Sequence, residues 1–372
     1  MTKKCLFDMS DLDFEKTYYS INLYKYRILD NLPQEFFGNF VLLVSERNCK
    51  QLKKKYPQYE QIIYRPLKRN TFFVSIFYNM AEKMHFKKFV DKTGCDTLFT
   101  ASNIDYKLTP RLSIRKVTVI HDIKSIWEVN GLNRVRVRNY YRDIINNSDA
   151  TIAISTFTKE HIVRSISGVK QEKLNVVYNS VVVSEKSVET DAVKGNDYLL
   201  YVNTLDEYKN IITLVKAYVR SKIHERYKLV VVAKPNNYWE TVIMPLLQSN
   251  GLKDRVILLS GVEDSILRYL YEKASLFVSP SLNEGFGYTP IEAALCGCPV
   301  LCTKCEALQD TTRGLLNYYD DPQNDLELSW KIEQLLSHPI DKRKLEAISK
   351  VYRKEYSPKK QIAAVLELLE LD

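Results

Sequence analysis

No run of about 18 or more apolar residues occurs in the sequence, so no helix is expected to span a bilayer. The opening stretch Met1-Thr2-Lys3-Lys4-Cys5-Leu6-Phe7-Asp8 lacks the apolar core of a signal peptide before acidic residues intervene. A cytoplasmic chain with reduced thiols is the expectation. Repeats and low-complexity tracts are missing, as are helix-turn-helix, zinc-finger and aromatic RNA-binding signatures, so nucleic acid is not an expected partner. The seven cysteines lack the usual zinc spacing of two close pairs separated by a long loop. Cys296, Cys298, Cys302 and Cys305 do cluster, but Cys296 and Cys298 flank a Gly, and Cys302 sits in an apolar run. That pattern reads as small packed thiols at a helix-to-strand turn, with zinc as the rival. No Asp-x-Asp pair stands at a suitable strand end, so no essential metal and no cofactor are expected.

What is present is a chain of 372 residues, comfortable for two domains, with an ordinary globular balance of 45% hydrophobic and 27% charged residues. The net charge of +9 is uneven: residues 1–190 hold 31 Lys and Arg against 20 Asp and Glu, leaving 23 against 25 for the rest. A basic first half points to an anionic surface or acceptor. The polar, non-periodic stretch 184–196 reads as an interdomain linker. Beyond it, apolar runs at Tyr198–Val202, Leu229–Ala233, Val256–Ser260, Leu276–Ser279 and Val300–Thr303 alternate with helical periodicity at Asn210–Ser221, Tyr238–Gln248, Asp264–Lys273 and Pro290–Cys296. Such alternation implies a parallel, doubly wound sheet with ligands at the carboxyl ends of its strands. In the first half, Phe40–Val44, Thr97–Phe99, Val117–Ile120, Thr151–Ile154 and Val176–Tyr178 read as strands of a second such sheet, covered by helices around Asn22–Leu32 and Phe72–Val90.

The most informative stretch runs from Ser279 through Glu284-Gly285-Phe286-Gly287-Tyr288-Thr289-Pro290 to Glu292 and Ala294. A strand ends, a two-glycine loop follows, and a helix is expected to open at Thr289-Pro290. The helix N-terminus beside such a loop is an anion site, framed here by two carboxylates. Thr289-x-x-Glu292 with Pro290 between them also reads as a complete capping box, which leaves Glu292 either a cap or a ligand. Glu284 belongs to no periodic face and reads as functional.

This stretch resembles the E-x7-E signature of glycosyltransferase family 4, with Glu284 and Glu292 at its two glutamate positions. The resemblance implies a GT-B fold of the α/β class, with two Rossmann-like domains facing each other across a cleft. The expected boundaries are 1–184 for an acceptor-binding domain and 197–372 for a nucleotide-sugar-binding domain, with the C-terminal helix packing back on the first. It further implies retaining transfer of a sugar from a nucleotide-diphosphate donor to a glycan or lipid-linked acceptor. In this reading Glu284 and the amides of Gly285, Phe286, Gly287 and Tyr288 hold the donor sugar, and Glu292 binds the ribose. Lys209, in Tyr201-Val202-Asn203-Thr204-Leu205-Asp206-Glu207-Tyr208-Lys209-Asn210, stands where the family neutralises the diphosphate. Asn203 replaces the family's usual Gly there, and Thr204 its usual Arg. Val119-Ile120-His121-Asp122 resembles the family's strand followed by His-Asp, which implies a place for His121 near the reacting centre. Ser155-Thr156-Phe157-Thr158-Lys159 and Val177-Tyr178-Asn179 match two further family segments, and Cys296-Gly297-Cys298-Pro299-Val300 its small-Gly-x-Pro-Val turn. The family's N-terminal Gly-Gly loop is missing, with Tyr19-Ser20 in its place. An epimerase, a phosphorylase or a non-catalytic partner subunit would share the same fold.

The segment 72–90 carries Phe72, Phe73, Ile76, Phe77, Met80 and Met84 with Lys83, Lys87 and Lys88 interleaved. It reads either as a peripheral contact with the inner face of the cell membrane or as a helix packed on the first sheet. Lys53-Lys54-Lys55, Arg65, Lys68 and Arg69 add local charge to the membrane reading.

Overall fold

A computed structural model describes residues 2–14, 20–67, 75–101, 105–305 and 307–371, excepting the side chains of residues 20, 75–77 and 106. Phe72, Phe73, Lys68, Arg69 and Tyr19, and the side chains of Ile76, Phe77 and Ser20, therefore lie outside the described residues. The chain divides into two units, Met1–Ser180 with Pro358–Asp372, and Val181–Ser357.

The first unit is built on seven parallel strands: β1 (Cys5–Asp8), β2 (Phe40–Val44), β3 (Glu60–Ile63), β4 (Thr97–Thr100), β5 (Arg115–Ile120), β6 (Ala150–Ala153) and β7 (Leu174–Val176). Their order is β3-β2-β1-β4-β5-β6-β7. β1, β2, β4 and β6 are buried along their whole length, as strands covered on both faces must be. Leu6, Val41, Leu43 and Leu98 pack with Phe86 and Val90 of helix Ser75–Val90 and Ile144 of helix Gly131–Asn146. Ile120, Ile123, Tyr141, Ile145 and Ile162 form a further core. The terminal helix Pro358–Leu369 belongs to this unit. Arg115 donates to the Leu368 carbonyl and pairs with Glu370 at 2.8 Å, while Gln361 accepts from the Ser180 amide at 3.0 Å.

The second unit repeats the plan with six parallel strands: β8 (Tyr198–Val202), β9 (Lys228–Val232), β10 (Val256–Leu259), β11 (Leu276–Ser279), β12 (Val300–Thr303) and β13 (Asn317–Tyr319). The order is β10-β9-β8-β11-β12-β13. Helix Ile211–Arg220 buries Leu214, Val215 and Tyr218 against Leu199, Leu229 and Leu276 of the sheet. In both units the strand order reverses between two neighbouring central strands, β1 and β4 in the first, β8 and β11 in the second. Open parallel sheets bind ligands outside the carboxyl ends of such strands.

Sequence reading overlooked β1, β3 and β13. β1 has four residues, too few for a period, and β3 and β13 are short edge strands that are only partly buried. The helical reading of Tyr238–Gln248 resolves into a π-helical turn, Trp239–Ile243, followed by helix Met244–Ser249.

Candidate active site

The carboxyl ends of β8 and β11 hold the densest group of buried charge in the second unit. After β8 the chain makes a 3-10 turn, Glu207–Lys209, and enters helix Ile211–Arg220 through Asn210, whose φ of 56° places it in the left-handed region. Asn is among the few non-glycine residues that tolerate this conformation. Its amide donates to the Pro280 carbonyl at 2.9 Å and the Pro322 carbonyl at 2.6 Å, and its oxygen accepts from Thr213 Oγ1 at 2.7 Å. This ties the β8 loop to the β11 loop and fixes the aim of the preceding Lys209.

Lys209 Nζ donates to both carboxylate oxygens of Glu284 at 2.9 Å each. Ser281 Oγ donates to Glu284 Oε1 at 2.8 Å, and Asn203 Nδ2 reaches the same oxygen at 3.4 Å. Lys209, Glu284 and Ser281 are all buried. Burial alone drives the Lys209 ammonium toward deprotonation, but the Glu284 carboxylate outweighs it and holds the pKa above the ordinary lysine value. The ammonium is therefore fixed as a cation at neutral pH, on a backbone pinned from two sides. Asn203, where the resembling family carries Gly, uses its side chain twice: its Oδ1 also accepts from the Thr204 amide at 3.0 Å. Thr204 is exposed, and its hydroxyl donates to Asp206 at 2.7 Å.

The loop after Glu284 differs from the expected capping box. The helix runs Tyr288–Leu295, and Gly287, with a φ of 79°, is its N-cap residue without any side-chain cap. Thr289 thus lies inside the first turn and cannot cap, and the Thr289–Glu292 box does not form. The reason is tertiary: a Cβ on Gly287 would lie 2.1 Å from Leu308 Cδ2, so only glycine fits where the chain turns. Glu292 instead accepts a hydrogen bond from Tyr271 Oη at 3.3 Å. The Phe286 side chain is buried, its ring 4.9 Å from that of Tyr288 and 5.7 Å from that of Tyr356. Its carbonyl accepts from Thr311 Oγ1 at 2.7 Å. Only the backbone of Phe286 is thus available for a ligand.

His121 stands at the end of β5 in the first unit, buried, with its ring edge-on to Tyr24 at 5.2 Å. Burial and the nearby Lys25 charge lower its pKa to about 3, so the imidazole is neutral at physiological pH. Neither ring nitrogen makes a well-aligned hydrogen bond among the described residues, although the Ala101 backbone lies near enough to favour the proton slightly. Among the described residues no three His, Cys, Asp or Glu side chains are grouped as a metal site requires. Burial pushes the thiols of Cys296 (to about 12), Cys298 and Cys302 up, which keeps them protonated.

The structure brings together Lys209, Glu284 and Asn203, and adds Ser281, which sequence reading overlooked. Its only signal was position, three residues before Glu284 in the loop after β11. Tyr271 was also overlooked, because a tyrosine in an amphipathic helix reads as core.

The second unit matches the family model described as glycosyl transferases group 1 over residues 183–354. Residues 35–185 match the one described as glycosyltransferase family 4. The chain belongs to this family of glycosyltransferases. Among its curated relatives, the O-antigen chain mannosyltransferase RfbU of Salmonella typhimurium is 30% identical over 61% of this chain and 63% of its own. A Campylobacter jejuni N-acetylgalactosaminyltransferase, named for a diphospho-undecaprenol-linked acceptor, is 26% identical over 59% of this chain and 60% of its own. The chain spans about three fifths of the length of these two relatives. Among solved structures, a glycosyltransferase from Rickettsia africae superposes with a TM-score of 0.76 at 16% identity, covering 100% of this chain and 98% of that one. Anabaena HepE in complex with UDP gives 0.75 at 15% identity, covering 99% of each. These two likenesses establish the GT-B fold.

Proposed function

We propose that this chain moves a hexose from a nucleoside diphosphate sugar to a glycan or lipid-linked acceptor, with retention of configuration, in bacterial surface polysaccharide assembly. The buried Lys209–Glu284 pair at the strand-order reversal between β8 and β11 carries the reading, because it presents a fixed cation where parallel sheets bind ligands. The Salmonella relative, named for the O-antigen chain, and the Campylobacter relative, named for a diphospho-undecaprenol-linked acceptor, support the acceptor class.

In the reaction, the bond between the anomeric carbon and the β-phosphate oxygen breaks. The acceptor hydroxyl oxygen bonds to the same face of that carbon, and its proton passes to the leaving phosphate. Charge grows on the diphosphate, so electrostatic stabilisation is the main catalytic contribution. Lys209, the amides from Gly285 to Tyr288 and the N-terminus of helix Tyr288–Leu295 supply it. Glu284 holds the sugar, Asn203 and Thr204 line the donor, and Glu292 takes the ribose hydroxyls. His121, neutral at working pH, serves the reacting centre through hydrogen bonds rather than charge. No metal or other cofactor takes part. The enzyme works in the cytoplasm at the inner face of the membrane; among the described residues no helix is long and apolar enough to cross one.

The test is a panel of nucleotide sugars screened for thermal stabilisation, since a ligand at about 100 times its dissociation constant adds roughly 2.7 kcal/mol. The stabilising donor should then be turned over with a chelator present. Stabilisation by no donor in the panel, or turnover abolished by the chelator, contradicts the proposal.

A further inference from the structure

Helix Gly131–Asn146 turns Tyr141, Ile144 and Ile145 into the core and leaves its first turns standing out from the first unit. Leu132 there is 88% exposed and Val135 52%, with Trp127 just before the helix at 43%. Around these apolar groups the sequence from 127 to 143 carries Arg134, Arg136, Arg138 and Arg142 against Glu128 and Asp143, and Asp143 lies 3.6 Å from the Arg142 guanidinium. The guanidiniums of Arg134 and Arg138 lie 5.7 and 5.4 Å from the Trp127 ring. Arg136 donates to Tyr140 Oη at 2.8 Å.

The surface continues onto helix Ser75–Val90. Lys83 Nζ sits 5.6 Å from the Tyr140 ring, and beside it Met80 and Met84 are 62% and 55% exposed. The acid of that stretch, Glu82, is turned inward, where it accepts from Tyr64 and from the Leu67 amide. Val137 packs on the core, but Leu132 and Val135 stand exposed beside the arginines. A protein-binding patch would not need so strong an excess of positive charge. Apolar side chains deep enough to enter an acyl layer, ringed by cations with long aliphatic stems and a tryptophan, match an anionic bilayer surface. By contrast, the Lys53-Lys54-Lys55 run is partly engaged within the chain: Lys53 donates to the Pro57 and Tyr59 carbonyls, and Lys55 lies 3.6 Å from the Tyr26 ring.

We infer that the outward face of helix Gly131–Asn146, with Trp127 and the methionines of helix Ser75–Val90, is the surface by which this chain lies on an anionic lipid bilayer. The inference rests on the membrane-facing reading of the proposed function and assigns it to residues.

The experiment is flotation with vesicles of phosphatidylcholine alone or with phosphatidylglycerol added, at low and high salt. The wild-type chain should float only with the anionic vesicles and be released by salt. Neutralising three arginines (R134Q/R136Q/R138Q) should weaken partitioning on the order of 100-fold, at about fivefold per surface charge. L132S/V135S should weaken it with the charge unchanged. Removing three exposed lysines of the other unit (K342Q/K344Q/K350Q) is the charge-matched control and should leave binding as it was. Donor-induced thermal stabilisation, measured on every variant, reports that each is folded. Equal binding to neutral vesicles, an equal loss in the lysine control, or salt-sensitive binding to single-stranded RNA in place of vesicles would overturn the assignment. Failure to float with donor turnover intact sinks this surface alone, whereas floating without turnover on any donor sinks the transferase reading alone.

Discussion

Replacing Glu284 by Gln removes one partner of a buried ion pair while keeping the shape of the side chain. The two side chains are 11% and 10% exposed, so little solvent screens what remains. Loss of one member of a buried pair costs roughly 3–5 kcal/mol, because the other charge stays desolvated. Gln can still accept from Lys209 and Ser281, which places the expected loss near the lower figure. For a unit of 150–250 residues that is a fall in melting temperature of roughly 6–12 °C. The nucleotide behaves oppositely. In the wild type a diphosphate competes with Glu284 for the Lys209 ammonium, whereas in Glu284→Gln it supplies the missing anion. A nucleoside diphosphate should therefore raise the melting temperature of the variant more than that of the wild type, while turnover falls because the sugar has lost its carboxylate. Scanning calorimetry with and without nucleotide, beside a donor-turnover assay, measures all three. A variant that melts within about 1 °C of the wild type, or gains no more than it does from the nucleotide, would refute the coupling between Lys209 and Glu284.

Three further outcomes follow from the same geometry. Gly287→Ala should cost at least about 2 kcal/mol in urea unfolding, since the left-handed backbone and the contact with Leu308 each oppose a Cβ; an unchanged midpoint would contradict the turn described here. Glu292→Gln should weaken nucleoside diphosphate binding roughly 10- to 150-fold by calorimetric titration, with melting almost unchanged because Gln still accepts from Tyr271; unchanged affinity would return Glu292 to a structural role. Lys116, buried on β5 and donating to the Leu108 and Pro110 carbonyls, has its pKa lowered to about 7 by burial despite the opposing Asp149. Its folded pKa is below the unfolded value of about 10.4, so the unfolded chain holds the extra proton between pH 7 and 10. The lysine thus costs stability below pH 7, and stability should rise with pH through that window by up to about 1.4 kcal/mol per unit. Lys116→Met should flatten the rise, and an equal slope in both proteins contradicts the assignment.

The buried strands of the second unit were legible because a parallel strand covered on both faces is predominantly apolar, as β8 is and as β11 is up to its final Ser279. The Glu284 loop was legible because a carboxylate before two glycines and a helix has few structural uses. The helix start was misjudged because Gly287, in the left-handed region and close against Leu308, takes the N-cap position two residues ahead of the local Thr289-Pro290 signal. Ser281 was missed because its role depends on where Glu284 points. The central strand β1 was hidden by its brevity, four residues from Cys5 to Asp8. The basic first half points to an anionic partner, but segment 72–90 is only part of the exposed basic surface. Arg134, Arg136 and Arg138 alternate with Val135 and Val137, which blurs the contrast between a helix's inner and outer faces until the fold is known.

The central claim is that Lys209 and Glu284 serve retaining transfer from a nucleotide sugar. NMR of the product made from an α-linked donor and an acceptor glycan tests it most directly, because the one-bond carbon–proton coupling at the anomeric centre reads configuration in gluco- and manno-type hexoses alike. The account predicts an α-linked product from the wild type and its loss in Glu284→Gln. A β-linked product, or undiminished transfer by the variant, would contradict it.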